Sequence, residues 1–188
     1  MRDAEWISGN RANIAQWNYG TTGNVSYHQV YRQTQQAFSE VADQTEYGNW
    51  YWATNTGNGF SYQAGPDTVV RPQFQSNGVL ANSYDSNYRA IQTDWPVFAF
   101  TFDLGSVGTS EVSRLFSIGL CQQEAIQFDG ATGVKSLPSL WTSYFQDDLA
   151  AVCMKWSDVI PHIDVFRSNF SKTIMRRLAS CPVSWTTK

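Results

Sequence analysis

The sequence predicts a mostly β protein: an antiparallel β-sandwich followed by one amphipathic helix and an irregular tail. Two observations support this class. Short runs rich in aromatic and β-branched residues alternate with turn residues over the first 135 positions or so, and helical spacing of apolar residues appears only after them. Many strands followed by a helix are typical of a sandwich rather than of alternating βαβ units.

Composition and charge exclude several classes of protein. The 188 residues include eight Trp, nine Tyr and eleven Phe, while charged residues make up only 15%. A disordered chain would show the reverse balance. The net charge of -3 argues against a general nucleic-acid binder, which is usually basic. No stretch approaches the ~20 apolar residues of a transmembrane helix, and the first residues lack the apolar core of a secretion signal.

The first strands are predicted from aromatic residues in alternation. In residues 24–38, Tyr27 and Tyr31 alternate with polar neighbours, which indicates a half-buried strand. Residues 46–55 concentrate four aromatic side chains, which fit a pleated surface. Residues 57–65 lie between glycines and form a further short strand in this interpretation.

A hairpin is the expectation for residues 67–82. Asn77-Gly78 lies between two apolar runs, and this dipeptide readily supplies the positive φ angles of a tight β-turn. Pro72 has no N–H to donate to a neighbouring strand, so the strand before the turn is placed at a sheet edge or a bulge.

Residues 95–105 give the clearest strand pattern. Phe98, Phe100 and Phe102 share one face, and the opposite face is also largely apolar, so we expect a central strand covered on both sides. Two further strands are predicted around Arg114–Cys121 and Glu124–Phe128.

Helical periodicity begins near Pro138. Apolar residues follow at offsets of three and four up to Trp156, which predicts an amphipathic helix over 137–157. We therefore divide the chain into a β-sandwich (1–136), a linker helix (137–157) and an atypical tail (158–188). The helix face has no evident partner, so its apolar side chains are candidates for docking another domain, or for self-association: Leu140, Trp141, Tyr144 and Phe145.

The chain contains no recognisable catalytic motif. The two histidines, His28 and His162, are far apart, and His28 is interpreted as a sheet-surface residue. No zinc spacing, phosphate-binding loop or nucleophile elbow is present, so no metal or cofactor is predicted. Cys121, Cys153 and Cys181 are interpreted as buried or incidental thiols.

Two weaker functional hypotheses remain open. Carboxylates at strand ends could pair for acid–base chemistry in a small self-contained amidohydrolase, the candidates being Asp67, Asp94, Asp103 and Glu124. Alternatively, Trp50 and Trp52 alternate onto one face and could form a platform for sugar rings in a carbohydrate-binding module. For each set a structural role is the simpler interpretation.

Long segments of the chain resemble the fungal secreted glutaminase A family. The similarity extends over about Glu5–Val152 and is carried by DQTEYGNWYWATN (43–55), DTVVRPQFQSNGVL (67–80), YRAIQTDWPVFAFTFDLGSVG (88–108), GLCQQEAIQFDGATG (119–133) and LPSLWTSYFQDDLAAV (137–152). The resemblance implies the N-terminal, supersandwich-like β-region of that family. In full-length members a helical domain follows, and it is expected to convert glutamine and water to glutamate and ammonia.

The resemblance also sets expectations for this chain. It implies an extracellular setting, in which the sequons at Asn24 and Asn169 would be glycosylation sites. We expect the signal peptide and the first strands of the family to be absent from this chain. Residues after Val152 do not resemble the family's continuation. We therefore expect a noncatalytic N-terminal module, a truncated family member or fragment, whose partner is the helical catalytic domain of a full-length relative.

Overall fold

The structure, a computed structural model, describes residues 2–153. These residues form two α-helices, α1 (Asp67–Asn77) and α2 (Asp148–Val152), and two 3-10 turns at Ala4–Ile7 and Leu140–Ser143. The strands within the same residues are β1 Arg2–Asp3, β2 Ile14–Thr22, β3 Val25–Arg32, β4 Glu40–Val41, β5 Gln44–Thr45, β6 Asn49–Asn55, β7 Phe60–Pro66, β8 Ser83–Tyr84, β9 Arg89–Ala90, β10 Pro96–Phe102, β11 Phe116–Cys121, β12 Glu124–Gly130 and β13 Gly133–Pro138.

Two facing sheets form a sandwich. A four-stranded sheet has the order β1-β10-β7-β8, and a five-stranded sheet has the order β11-β6-β3-β2-β9. Neighbouring strands are antiparallel except for the short β7–β8 pair. The predicted mostly β, sandwich-like fold is confirmed. Two separate hairpins, β4–β5 and β12–β13, complete the described strands.

The core lies between the two sheets. Trp17 on β2 and Phe98 on β10 are each 1% exposed and meet edge to face at 5.8 Å. The Trp17 indole N–H donates to the Asp85 carbonyl at 2.8 Å, so the buried ring keeps a partner for its polar atom. Smaller apolar residues fill the same cluster: Ala4, Ile7, Ala15, Val30, Ala64 and Ile91.

The second face of β10 is covered by α1. Val97 and Ala99 are buried there with Val70 of α1 and with Leu80, which follows the helix. Phe98, between them in sequence, points to the inter-sheet core. The expectation of a central strand covered on both faces is therefore confirmed, and the covering element on one face is a helix.

The hairpin predicted for residues 67–82 is wrong. Residues Asp67–Asn77 are helical, and Gly78 ends the helix with φ 68° while its N–H donates to the Phe74 carbonyl at 2.8 Å. The positive φ attributed to a hairpin turn thus belongs to a left-handed helix cap. Pro72 lies inside this helix rather than in an edge strand.

Substitution of Gly78 by Ala tests this cap. Nothing lies within 4 Å of the added methyl group, so the expected cost of about 1 kcal/mol in unfolding free energy comes from the left-handed backbone alone. Gly57 is equally open but has no positive φ, so Gly57→Ala is the matched control. Urea unfolding that gives equal stabilities for the two variants would contradict the cap.

The single helix predicted over 137–157 is also corrected. Residues up to Pro138 belong to β13, and the helical residues divide into the Leu140–Ser143 turn and α2. Asp147 causes the break, because its extended backbone and its side chain, which accepts from the Ala150 N–H at 2.7 Å, start a new helix. Positions from 154 onward, including the tail predicted at 158–188, lie outside the described residues. No described helix has the length and apolar character needed to span a membrane.

Candidate functional site

The four candidate catalytic carboxylates do not converge. Asp94 and Asp103 lie beyond opposite ends of β10, which places them roughly 20 Å apart for a seven-residue strand. Asp67 begins α1, and its N–H donates to the Asp94 carbonyl at 3.1 Å. Glu124 begins β12, in a separate hairpin. The described structure therefore brings Asp67 and Asp94 into one neighbourhood through their backbones and leaves the other two apart.

Two of the four candidate carboxylates, Asp67 and Asp103, have structural partners. Asp67 pairs with Arg71 one turn along the helix, and the Asp103 carboxylate accepts the Gly105 N–H at 2.8 Å. A further pair, Asp85 and Arg89, joins at 3.1 Å, with the Arg89 side chain 7% exposed. Such contacts stabilise turns and helix starts, which agrees with the simpler, structural interpretation of these residues.

The most buried carboxylate among the described side chains is Glu46, which the sequence did not single out. It is 4% exposed and lies 2.9 Å from the Arg32 guanidinium. Ser39, Ser8 and Asn13 donate to its oxygens at 2.7, 3.2 and 3.2 Å. These hydrogen bonds, the one from Ser39 above all, lower the pKa of Glu46. The group is ionised and fully engaged, so its role is to join distant segments of chain.

His28 is buried, contrary to the interpretation as a sheet-surface residue. It is 0% exposed, and its ring lies between the sheets, 4.6 Å from the Phe100 ring. Nε2 lies 3.2 Å from the Ala99 carbonyl, while Nδ1 has no hydrogen-bond partner among the described residues. Burial lowers the pKa of His28 to about 3. A neutral imidazole with no carboxylate or nucleophile bonded to it has the surroundings of a core residue.

A cavity of 230 Å³ lies where β6, β11 and the start of α2 meet. Asn49 donates to the Asp148 carboxylate there at 2.6 Å, and Cys121 lies in the same wall. Burial raises the pKa of Cys121 to about 11, so this thiol is protonated and unreactive at neutral pH. Burial also raises the pKa of Cys153. Cys181 lies outside the described residues.

A second cavity, of 420 Å³, opens at the end of the sandwich beyond β6 and β10. Its walls include Asn55, Thr56, Phe102 and Arg114, whose guanidinium lies 5.1 Å from the centre of the Phe102 ring. In the first cavity the Cys121 thiol shares the wall with the carboxylates of Asp148 and Glu124, but its raised pKa keeps it protonated. The residues that line the second cavity include hydroxyl groups and Arg114 but no carboxylate, histidine or cysteine. Within residues 2–153, no cluster of three His, Cys, Asp or Glu side chains is arranged to hold a metal ion.

Trp50 and Trp52 do share a face, but it is the inner face of the five-stranded sheet. Both rings are partly buried against the core, and Trp52 stacks on Phe116 at 5.2 Å. An exposed two-ring platform is therefore not formed, because the rings contribute to packing between the sheets. Glycan binding by the chain stays a prediction.

The four predicted docking residues divide into two pairs. Trp141 and Phe145 are half-buried, and the Trp141 indole N–H donates to the Gln122 carbonyl at 3.0 Å. Leu140 and Tyr144 remain 65% and 73% exposed. Docking thus stays a prediction, with Leu140 and Tyr144 as its accessible part.

The two sequons differ in what the structure describes. Asn24 is exposed in the two-residue turn between β2 and β3, a position open to modification. Asn169 lies outside the described residues. Glycosylation of either remains a prediction.

Comparison with known proteins decides the family. The model of the family described as "Domain of unknown function (DUF5127)" matches residues 2–159. The chain belongs to the DUF5127 family. No solved structure matches this DUF5127 chain significantly.

Curated relatives of this DUF5127 chain carry glutaminase names. It is 60% identical to "Glutaminase A" of Aspergillus oryzae over 151 residues, which are 79% of this chain and 22% of the relative. It is 30% identical to "Probable glutaminase/05536" of Arthroderma benhamiae over 159 residues, 77% of this chain and 18% of the relative. The chain thus spans about a fifth of these relatives, and the predicted kinship with the N-terminal region of the glutaminase A family is confirmed.

Proposed function

We propose that this DUF5127 chain is a noncatalytic β-sandwich module of a glutaminase, and that its partner is a helical catalytic domain. The observation that carries the proposal is that the Asp67, Asp103 and Glu46 carboxylates are held in structural contacts. The buried His28 ring, in addition, has a backbone carbonyl rather than a carboxylate as its hydrogen-bond partner. The relative named Glutaminase A is several times longer than the matched part. The reaction itself, glutamine and water to glutamate and ammonia, belongs in this proposal to the part outside the match.

The docking part of the proposal rests on exposed apolar side chains. Leu140 and Tyr144 lie on a turn that Trp141 and Phe145 attach to the sandwich, so the exposed pair is held on a fixed support. Exposed apolar residues grouped in this way are typical of interfaces. The proposal places the protein outside the cell, as a secreted glycoprotein, on the strength of the family resemblance.

Ammonia release by the purified chain tests the catalytic part. We expect release from glutamine no faster than in buffer with heat-denatured chain, because the Ser39 hydroxyl beside Glu46 is held in a structural network. The Cys121 thiol, whose pKa is raised by burial, stays protonated. An enzyme-like rate that Asp67→Asn, Asp94→Asn, Asp103→Asn or Glu124→Gln abolishes would instead support the small amidohydrolase.

A chimera tests the docking part. Residues 2–153 replace the matched region of the Aspergillus oryzae relative, which the 60% identity makes practicable. We expect the chimera to release ammonia, and Leu140→Lys with Tyr144→Lys to lower its thermal midpoint by several degrees. Val69→Lys is the control, since Val69 is 52% exposed on α1. Equal thermal midpoints in the double variant and the control would mean that Leu140 and Tyr144 do not dock the catalytic domain.

A further inference from the structure

The edge of the five-stranded sheet at β11 lacks the features that normally protect an edge strand. Within residues 2–153, β11 pairs with β6 alone, and the register runs without a bulge. Its sequence, FSIGLC, contains no charged residue and no proline. Natural sheets usually carry Lys, Pro, bulges or very short strands at such edges, because unpaired N–H and C=O groups recruit further strands. Among the described residues, this edge therefore has neither a second strand paired to its backbone nor a charged side chain that would oppose pairing.

The side chains of β11 extend an apolar surface past the core. Ile118 lies opposite Trp52 in the register, and Trp52 lies opposite the buried His28, so the three share the inner face. The four-stranded sheet covers this face only in part: the Phe102 ring of β10 lies 6.0 Å from the Phe116 ring, yet Phe116 and Ile118 remain 40% and 42% exposed. At β11, the inner face of the five-stranded sheet is therefore partly exposed to solvent.

We propose that two copies of this chain pair through β11 and form a symmetric dimer. Antiparallel pairing about a twofold axis perpendicular to the sheet keeps both inner faces on one side. Facing residues must lie on the same face, which an axis through any one residue of β11 satisfies. We place the axis at Ile118, because only there do all three inner-face residues, Phe116, Ile118 and Leu120, face one another. Ile118 then faces Ile118 of the partner subunit, and Phe116 faces Leu120 of the partner subunit.

The strand is self-complementary in this register, which is the reason for assigning a second copy. Its inner-face residues, Phe116, Ile118 and Leu120, are spaced evenly about the axis, so apolar side chains meet apolar side chains at every inner position. No like charges meet, because the strand has none. The result is one continuous ten-stranded sheet in which the exposed Phe116 and Ile118 are covered. The surface around Leu140 and Tyr144 is not used, so this dimer is independent of the proposed docking.

Sedimentation of the full chain with a charged substitution tests the dimer. We expect the weight-average mass to rise with concentration from 21.2 kDa toward twice that value. Ile118→Lys places two ammonium groups opposite each other on the axis and should weaken dimerisation tenfold or more. Val69→Lys adds the same charge at a similarly exposed site on α1 and should dimerise like the parent. Circular dichroism checks that both variants fold.

Cross-linking tests the register independently. Facing residues of an antiparallel pair have Cα atoms about 4.5–5.5 Å apart, within disulfide range. Ile118→Cys should therefore give a covalent dimer on mild oxidation, well above the background from the native cysteines. Ser117→Cys should stay at that background, because Ser117 faces Gly119 of the partner subunit and the two copies of position 117 lie beyond ~7 Å.

Three outcomes would overturn the proposal. A parent chain that stays at 21.2 kDa at all concentrations removes the dimer. If Ile118→Lys leaves the association unchanged, the copies associate through another surface, such as the one around Leu140 and Tyr144, and the proposed β11 interface is wrong. Equal cross-linking of Ile118→Cys and Ser117→Cys removes the twofold through Ile118. None of these results bears on ammonia release, so the proposed function stands or fails separately.

Discussion

Replacement of Glu46 by Ala is expected to lower the free energy of unfolding by about 3–5 kcal/mol, the typical cost of breaking a buried ion pair. The Arg32 side chain is only 11% exposed and would keep its charge without the carboxylate 2.9 Å away. Ser8 and Ser39 would lose the acceptor for their hydroxyl groups. Because these donors come from the segment after the first 3-10 turn, from β3 and from the loop before β4, one substitution loosens three parts of the chain.

Urea denaturation at neutral pH measures this loss. Glu40→Ala is the matched control: Glu40 is exposed, so its loss should change stability by less than about 0.5 kcal/mol. A double-mutant cycle with Arg32→Met should return a coupling energy above about 1 kcal/mol, since Met removes the charge that Glu46 neutralises. If Glu46→Ala unfolds within 1 kcal/mol of the parent, the buried network does not hold these segments together.

The strands that the sequence predicted are those rich in aromatic and β-branched residues. Residues 95–105, with three phenylalanines in alternation, contain β10, and the aromatic run at 46–55 contains β6. Local alternation reports burial directly, so it locates such strands to within a few residues. Residues 14–22 and 133–138, which form β2 and β13, were not predicted. In β2 the small and polar residues Gly20 and Thr21 weaken the pattern, and every residue of β13 is exposed.

The failures at 67–82 and 137–157 have a different cause. Val69 and Val70 favour a strand by local propensity. In the structure, however, Val70 lies on a helix and packs with Val97 and Ala99 on the outer face of β10. At 144–147 a helical apolar spacing continues through a break that a single Asp147 cap imposes. In both places a contact with distant residues or a backbone preference decides the structure, and neither is visible in periodicity.

The burial of Glu46 and His28 was the feature that the sequence predicted least well. Glu46 sits in a run of aromatic and polar residues that gives no sign of burial, and its partners Ser8 and Arg32 lie 38 and 14 positions away. His28 was placed on a strand, and β3 confirms the strand. Which face of that strand points inward depended on the position of the second sheet.

Acidification is expected to destabilise the fold through His28 between about pH 6.5 and 3. The folded pKa of His28 is lowered from 6.5 to about 3, so below pH 6.5 the unfolded chain binds a proton that the folded chain does not. Stability due to the neutral imidazole is therefore complete above pH 6.5 and falls by about 1.4 kcal/mol per pH unit down to about pH 3. From pH 6.5 to 5 the expected loss is about 2 kcal/mol.

The acid sensitivity arises because nothing among the described core residues compensates the charge of a protonated His28. Protonation would place a charge among the rings of Tyr19, Tyr62, Phe98 and Phe100, with only the Ala99 carbonyl to accept from it. Removal of an ion from water without a partner is among the largest costs in folding, and desolvation accordingly dominates the shift in the pKa of His28.

His28→Gln separates this effect from other acid-sensitive groups. Gln keeps a donor for the Ala99 carbonyl but does not titrate, so the variant should be less stable at pH 8 and nearly flat between pH 6.5 and 5. Glu46 does not confuse the comparison: its pKa is lowered from 4.5, so its contribution is complete above pH 4.5 and is lost only at lower pH. Parallel stability curves for parent and His28→Gln across pH 8 to 5 would mean that His28 accepts a proton in the folded core, and that the strands around it open to admit water.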